Sequence, residues 1–78
     1  MNNLEKDMIK AIQQNKYWTK GNTRVNPCVG FIEVQVNDQT IATVDNSYGW
    51  LNIPEDIHNG ITTHCVESRL NALKTMCR

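Results

Sequence analysis

Seventy-eight residues suffice for one domain, residues 1–78, with one modest core, and a chain of that size lies where association often supplements stability. Eight Lys and Arg balance eight Asp and Glu; a protein that holds nucleic acid by neutralising phosphates carries a basic excess, so nonspecific DNA or RNA binding is disfavoured. The longest apolar runs are a few residues, which excludes a membrane-spanning helix.

The opening Met1-Asn2-Asn3-Leu4-Glu5-Lys6 lacks the apolar stretch of a signal peptide, so cytoplasmic residence is the default expectation. Asn2 followed three residues later by Glu5 resembles a capping box, and Leu4, Met8, Ala11 and Ile12 then mark one face of a helix reaching about Asn15, widened by Ile9. Lys16 to Gly21 breaks that helix and leads into a short strand, Asn22 to Val25, stopped by Asn26-Pro27, with Thr23 and Val25 on one face. Gly30 to Val36 is the clearest strand, with Ile32, Val34 and Val36 on one side and Phe31, Glu33 and Gln35 on the other. Asn37-Asp38-Gln39 is a turn of open type, and the chain returns through Thr40 to Val44 as a β-hairpin.

A further strand is expected between Tyr48 and Ile53, then a loop with one helical turn from Pro54 to Gly60. Thr62 or Thr63 is positioned to cap a final helix whose apolar stripe is Val66, Leu70, Leu73 and Cys77. Arg69 does not lie opposite that stripe: its neighbours one turn away are Cys65, Val66, Ala72 and Leu73, so its stem lies along apolar surface. The element order predicts an α+β fold, a small antiparallel sheet of three to four strands with an N-terminal and a C-terminal helix packed on one face. Phe31, Glu33 and Gln35 then belong to the exposed or partner-facing side.

Trp18, Asn22, Thr23, Val25, Ile41, Ala42, Gly49, Trp50, Thr62, Thr63 and Ser68 to Leu73 follow one another in a loose pattern: an aromatic before Asn-Thr-x-Val, Ile-Ala, Gly-Trp, Thr-Thr, and a closing Arg-Leu-Asn-Ala-Leu helix. In this the chain resembles a family of small accessory proteins of tailed bacteriophages, mostly of unassigned function. Relative to that pattern, Leu51 to Ile61 reads as an insertion and His64 to Glu67 as one additional helical turn, which keeps Arg69 on the same helix face. The resemblance implies a phage-encoded protein acting in the host cytoplasm, where such proteins bind host components or blunt antiviral defence.

Chemistry-bearing residues are few. Cys28, Cys65 and Cys77 are an odd number without paired spacing and fit reduced, partly buried thiols. With His58 and His64 they lack metal-ligand spacing, so neither metal nor cofactor is expected. Cys65 with His58 or His64 could form a nucleophile and base, but so small a domain rarely encloses a substrate with its supporting shell, so no enzymatic activity is expected. The aromatics beside turns are Trp18, Tyr48 and Trp50, suited to stack on a base or anchor a protein. Trp50, flanked by Leu51 and Ile53, is read first as core, with binding the alternative; Trp18 is open between the two.

Trp18, Asn22, Thr23, Arg24, Trp50, Arg69 and Asn71 are the candidate ligand- or partner-binding residues. Arg69 is the candidate anion clamp, and Asn and Thr supply directional donors and acceptors. Alternatively Arg69 satisfies acceptors within its own fold and Asn22 caps a turn. The expectation is a non-enzymatic binding protein, a homo-oligomer, that counters host defence or modifies host physiology by binding, with sequestration of a nucleotide-type small ligand such as an immune signal one form this could take. Inhibition of a host protein through the outer sheet face or Trp18 is the alternative.

Overall fold

The computed structural model describes residues 2–59 and 63–76, with the backbone alone for His58 and Asn59. Helix α1 spans Asn3–Gln13, followed by strands β1 (Trp18–Lys20), β2 (Thr23–Pro27), β3 (Phe31–Val36), β4 (Gln39–Asp45) and β5 (Leu51–Asn52), a short helix α2 (Glu55–Asn59) and helix α3 (His64–Met76). The five strands form one antiparallel sheet in chain order, and the fold is α+β as predicted. The additional strand is β1, in the stretch expected only to break the helix. Gly21, with φ +60, takes the first central position of a two-residue turn between the paired Lys20 and Thr23, and this folds Trp18 back beside Val25.

The β3–β4 turn, left open by the sequence, is a two-residue loop in which Asn37 and Asp38 both have positive φ, the arrangement of a type I′ turn. Beyond it, Val34 pairs with Ala42 and Gln35 with Thr40, so β4 carries Ile41 as an extra residue. This bulge brings two residues adjacent in sequence, Ile41 and Ala42, into the core together. The backbone N–H of Asn37 donates to Asn22 O at 2.9 Å, joining two turns at one end of the sheet; Asn46 N–H donates to Gly30 O at 3.2 Å at the other.

The capping box of α1 is complete, the Asn2 side chain accepting from Glu5 N–H and the Glu5 side chain from Asn2 N–H. Thr63 caps α3 through Oγ1, which accepts from Val66 N–H at 3.2 Å; Thr62 and Cys77 lie outside the described residues. Met8, Ala11 and Ile12 from α1 and Val66, Leu70, Ala72 and Leu73 from α3 pack with Val25, Ile32, Val34, Val36, Ile41 and Val44. Both helices therefore cover the same side of the sheet, and among the described residues no helix covers the side bearing Arg24, Asn26, Glu33, Gln35, Thr40 and Thr43. Among the described residues no helix is long and apolar enough to cross a membrane.

Candidate functional site

Arg69 is only 7 % exposed and Glu5 only 4 %. Arg69 Nη1 donates to Glu5 Oε2 at 2.8 Å and Nε to Thr23 Oγ1 at 3.2 Å. Ser68 Oγ donates to the same Glu5 oxygen, while Oε1 accepts from Asn2 N–H at 3.3 Å. The chain of bonds continues outward: Thr23 Oγ1 donates to Asn22 Oδ1 at 3.1 Å, and Asn22 Nδ2 to Cys65 Sγ at 3.3 Å. One buried cluster thus ties α1, β2 and α3 together. Burial by itself would raise the Glu5 pKa, but the hydrogen bonds from Ser68, Asn2 and Arg69 and the adjacent positive charge outweigh it and hold the carboxyl below its ordinary value. Of the two roles open to Arg69, its contacts are those of the scaffold.

Asn22, Thr23 and Arg24 do come together, around a cavity of about 410 Å³ between the β1–β2 and β3–β4 turns that Asn37 and Asp38 complete. Their chemistry does not converge there. Thr23 is buried toward Arg69, while Arg24, its neighbour in an extended strand, projects to the opposite side. The Arg24 guanidinium pairs with Asp38 Oδ1 at 3.3 Å and donates to Gln35 Oε1 at 3.2 Å. A carboxylate lining the cavity already answers its cation, an arrangement poorly suited to capturing a phosphate.

The helix-free face is organised differently. In its middle, Glu33 accepts from Asn26 Nδ2 at 3.2 Å, Thr40 Oγ1 at 3.2 Å and the Cys28 thiol at 3.5 Å. Gln35 links this group to Arg24, donating to Thr40 Oγ1 at 3.5 Å. At one end the polar rungs give way to aromatics. Phe31 pairs with Asp45, and Asp45 N–H donates to Trp50 O at 2.9 Å, so strand alternation turns Trp50 to the same side as Phe31.

Trp50 is 67 % exposed and Tyr48 73 %, which overturns the core assignment of Trp50. Their rings stack with centroids 5.1 Å apart and planes 25° apart. The loop that carries them is braced by Asp45, whose Oδ1 accepts from Ser47 N–H at 2.8 Å and Tyr48 N–H at 2.7 Å, with Gly49 at φ +72 completing the turn. Val29, almost wholly exposed, lies in the β2–β3 connection joined to this end through Gly30. Beneath the loop, Ile12, Ile32, Val44 and Met76 line a further cavity of about 410 Å³.

A family model described as Kyanoviridae Gp96 protein matches residues 1–78, the whole chain. The chain belongs to the Kyanoviridae Gp96 protein family. It is therefore a phage protein, as the resemblance in sequence implied, although the match does not carry the particular residue pattern through which that resemblance was read. No curated protein and no solved structure matches it.

The other residues singled out from the sequence of this family member are dispersed. Trp18 is half-buried against the core. Asn71 is exposed on α3, where its carbonyl accepts from Thr75 Oγ1 at 2.9 Å. Cys28 donates to Glu33, and desolvation together with that carboxylate pushes its thiol pKa up, the opposite of an activated nucleophile. His64 is exposed, and the side chain of His58 lies outside the described residues. Among the described residues no three His, Cys, Asp or Glu side chains are grouped to hold a metal ion. Sequence reasoning missed Glu5 as the partner of Arg69, since its capping-box position accounts for it locally. It also missed the outward turn of Trp50, which the parity of Trp50 with polar Asn52 on either side of inward Leu51 could have signalled.

Proposed function

We propose that this phage accessory protein acts by binding rather than by catalysis, in the cytoplasm of the infected bacterium, and that its target is a host protein engaged through the helix-free face of the sheet. The observation that carries this reading is the stacked, exposed Tyr48–Trp50 pair held on a loop braced by Asp45. Aromatics that are exposed yet fixed anchor protein interfaces, because they bring large contact area and lose little conformational freedom on binding. Phe31 extends the apolar end, and the hydrogen-bonded side chains around Glu33 supply a polar surround whose order is already established before binding.

Counter-defence is the setting we propose for this binding. Sequestration of a nucleotide-derived signal has less support, because Arg69 is committed to Glu5 and Arg24 to Asp38. The test uses tagged protein as bait in lysate of infected host cells, with Trp50→Ala as the comparison, followed by reconstitution of each captured protein with purified bait. A host protein that binds the parent and is lost with Trp50→Ala is the expected result. Calorimetry against a panel of cyclic nucleotides addresses the other reading: binding there that survives Trp50→Ala and is lost with Arg24→Ala would replace the host-protein proposal.

A further inference from the structure

The charges of this chain are segregated. Lys6, Lys10, Lys16, Lys20 and Arg24 precede Val25 together with Glu5 and Asp7; no Lys or Arg occurs from Val25 to Ser68, the stretch that holds Glu33, Asp38, Asp45, Glu55, Asp56 and Glu67; and Arg69, Lys74 and Arg78 follow it. In most folds such a division would be scrambled by crossovers. Here the strands lie side by side in chain order, so segregation along the sequence becomes segregation across the molecule. Helix α1 rests on β1 and β2 and beside α3: Lys10 borders Trp18 of β1 and Asp7 meets Lys20, while Lys6 lies toward Thr75 and Met76 of α3. Helix α2 follows β5 after only Ile53 and Pro54 and buries Ile57 in the core, which sets Glu55 and Asp56 at the β5 edge on the helix-covered side.

We infer that a second copy of this chain docks head to tail, the α2–β5 end of one copy against the α1–β1 end of the next. The two ends are complementary in charge. Lys6, Lys10 and Lys16 are exposed with no carboxylate partner among the described residues, and Glu55 and Asp56 are exposed with no cationic one; Lys20 and Asp7 answer each other at 3.9 Å. The basic end also offers a notch of about 170 Å³ lined by Lys10, Lys16, exposed Tyr17 and half-buried Trp18, with Asp7, the partner of Lys20, at its rim. Among the described residues both outermost strands leave one edge unpaired, so docking β1 of one copy beside β5 of another extends the sheet with backbone hydrogen bonds. A two-fold arrangement would set like charges together at either edge. The contact is therefore heterologous, closing into a ring or growing as a chain. It is argued from the charges of the two ends and not from the host-protein reading.

Sedimentation velocity of the full chain over a concentration series tests this directly. The parent is expected to form dimers and larger species, with association weakened on the order of tenfold as salt rises from about 0.1 M to about 1 M and the screening length contracts. Lys10→Gln/Lys16→Gln and Glu55→Gln/Asp56→Asn, all at exposed positions, should each self-associate on the order of tenfold more weakly while melting like the parent. Mixed together they retain one intact pair of ends and should give a 1:1 dimer that grows no further. The purified chain is the sole component of these runs, so failure here is distinct from failure of the host-protein reading. A parent that stays monomeric throughout, assembly indifferent to salt, or a mixture that yields no 1:1 dimer would each overturn the inference.

Discussion

Arg69 and Trp50 have exchanged the places their chemistry would assign them: the cation is inside, 7 % exposed, and a tryptophan is outside, 67 % exposed. The buried region around Arg69 is built from distant parts of the chain: Glu5 of α1 and Thr23 of β2 accept from Arg69, and Ser68, beside it on α3, donates to Glu5. The exposed region around Trp50 is mostly local: its loop is held by hydrogen bonds within Asp45 to Trp50, with one bond outward from Asn46 N–H to Gly30 O. The first region depends on the whole fold and contributes to it. The second is displayed by the fold and can be altered without dismantling it.

The sharpest way to break that contrast is to remove Arg69. Arg69→Ala strands the Glu5 carboxylate in the core and is expected to cost about 3–5 kcal/mol, the penalty for an uncompensated buried charge, and this is a large part of a small domain's stability. Arg69→Lys should also lower the melting temperature, because a single ammonium cannot reproduce the two directed bonds to Glu5 and Thr23. The pair Glu5→Leu with Arg69→Met should recover much of the loss by eliminating both charges together. Denaturant titrations of the three proteins decide it, and an Arg69→Ala protein as stable as the parent would mean that the ion pair does not hold the helices to the sheet.

A second perturbation acts on the apolar partners of the same helix. Leu73 is fully buried, so Leu73→Ala should cost about 2–5 kcal/mol through lost burial and the cavity left behind. Were Leu73→Ala to melt like the parent, α3 would be dispensable to the core and the Arg69 cluster would be left as its principal attachment.

Titration probes the cluster without mutation. The Glu5 carboxyl is held below its ordinary value of 4.5 in the folded chain. Its stabilising contribution is then complete above about pH 4.5 and is lost as pH falls through the lower folded value, since below that the unfolded and folded carboxyls are both protonated. Melting temperatures should decline across that acidic range, and the decline should shrink in the Glu5→Leu/Arg69→Met protein. An unchanged acid profile in the double variant would assign the acid sensitivity to other carboxylates.

Much of the helix-covered side was legible from sequence because its signals are local and periodic. Of the predicted α1 face Met8, Ala11 and Ile12 are buried and Leu4 is half-buried; the alternating Ile32, Val34 and Val36 are buried, as are Val66, Leu70 and Leu73 of the α3 stripe, whose fourth member, Cys77, lies outside the described residues. What escaped has a different character. Strand β1 is three residues long, too short for alternation to register, and exists because Gly21 folds it onto β2. The shared burial of Ile41 and Ala42 violates strict alternation and follows from a bulge that pairing with β3 creates. The partner of Arg69 is Glu5, 64 positions away, and a capping-box residue already has a sufficient local explanation. Charge segregation, by contrast, is fully visible in the sequence and acquires spatial meaning only once the strands are known to lie in chain order.

The smallest expected effect on stability comes from Trp50, and it bears most directly on function. Trp50→Ala removes a ring that is mostly in water and forfeits its stacking on Tyr48, a pair worth about 0.5–1.5 kcal/mol, while the backbone bond from Asp45 N–H to Trp50 O is untouched by the substitution. If the helix-free face binds a host protein, the same change should weaken binding on the order of thirtyfold, the loss of about 2 kcal/mol typical of a central aromatic anchor. Trp50→Phe should retain part of that affinity through ring area and stacking, and Arg69→Lys should bind normally at temperatures where it remains folded. Measuring melting and affinity on all three proteins sets display against scaffold. A Trp50→Ala protein that binds its partner as tightly as the parent would show that the exposed aromatic end is not the recognition surface.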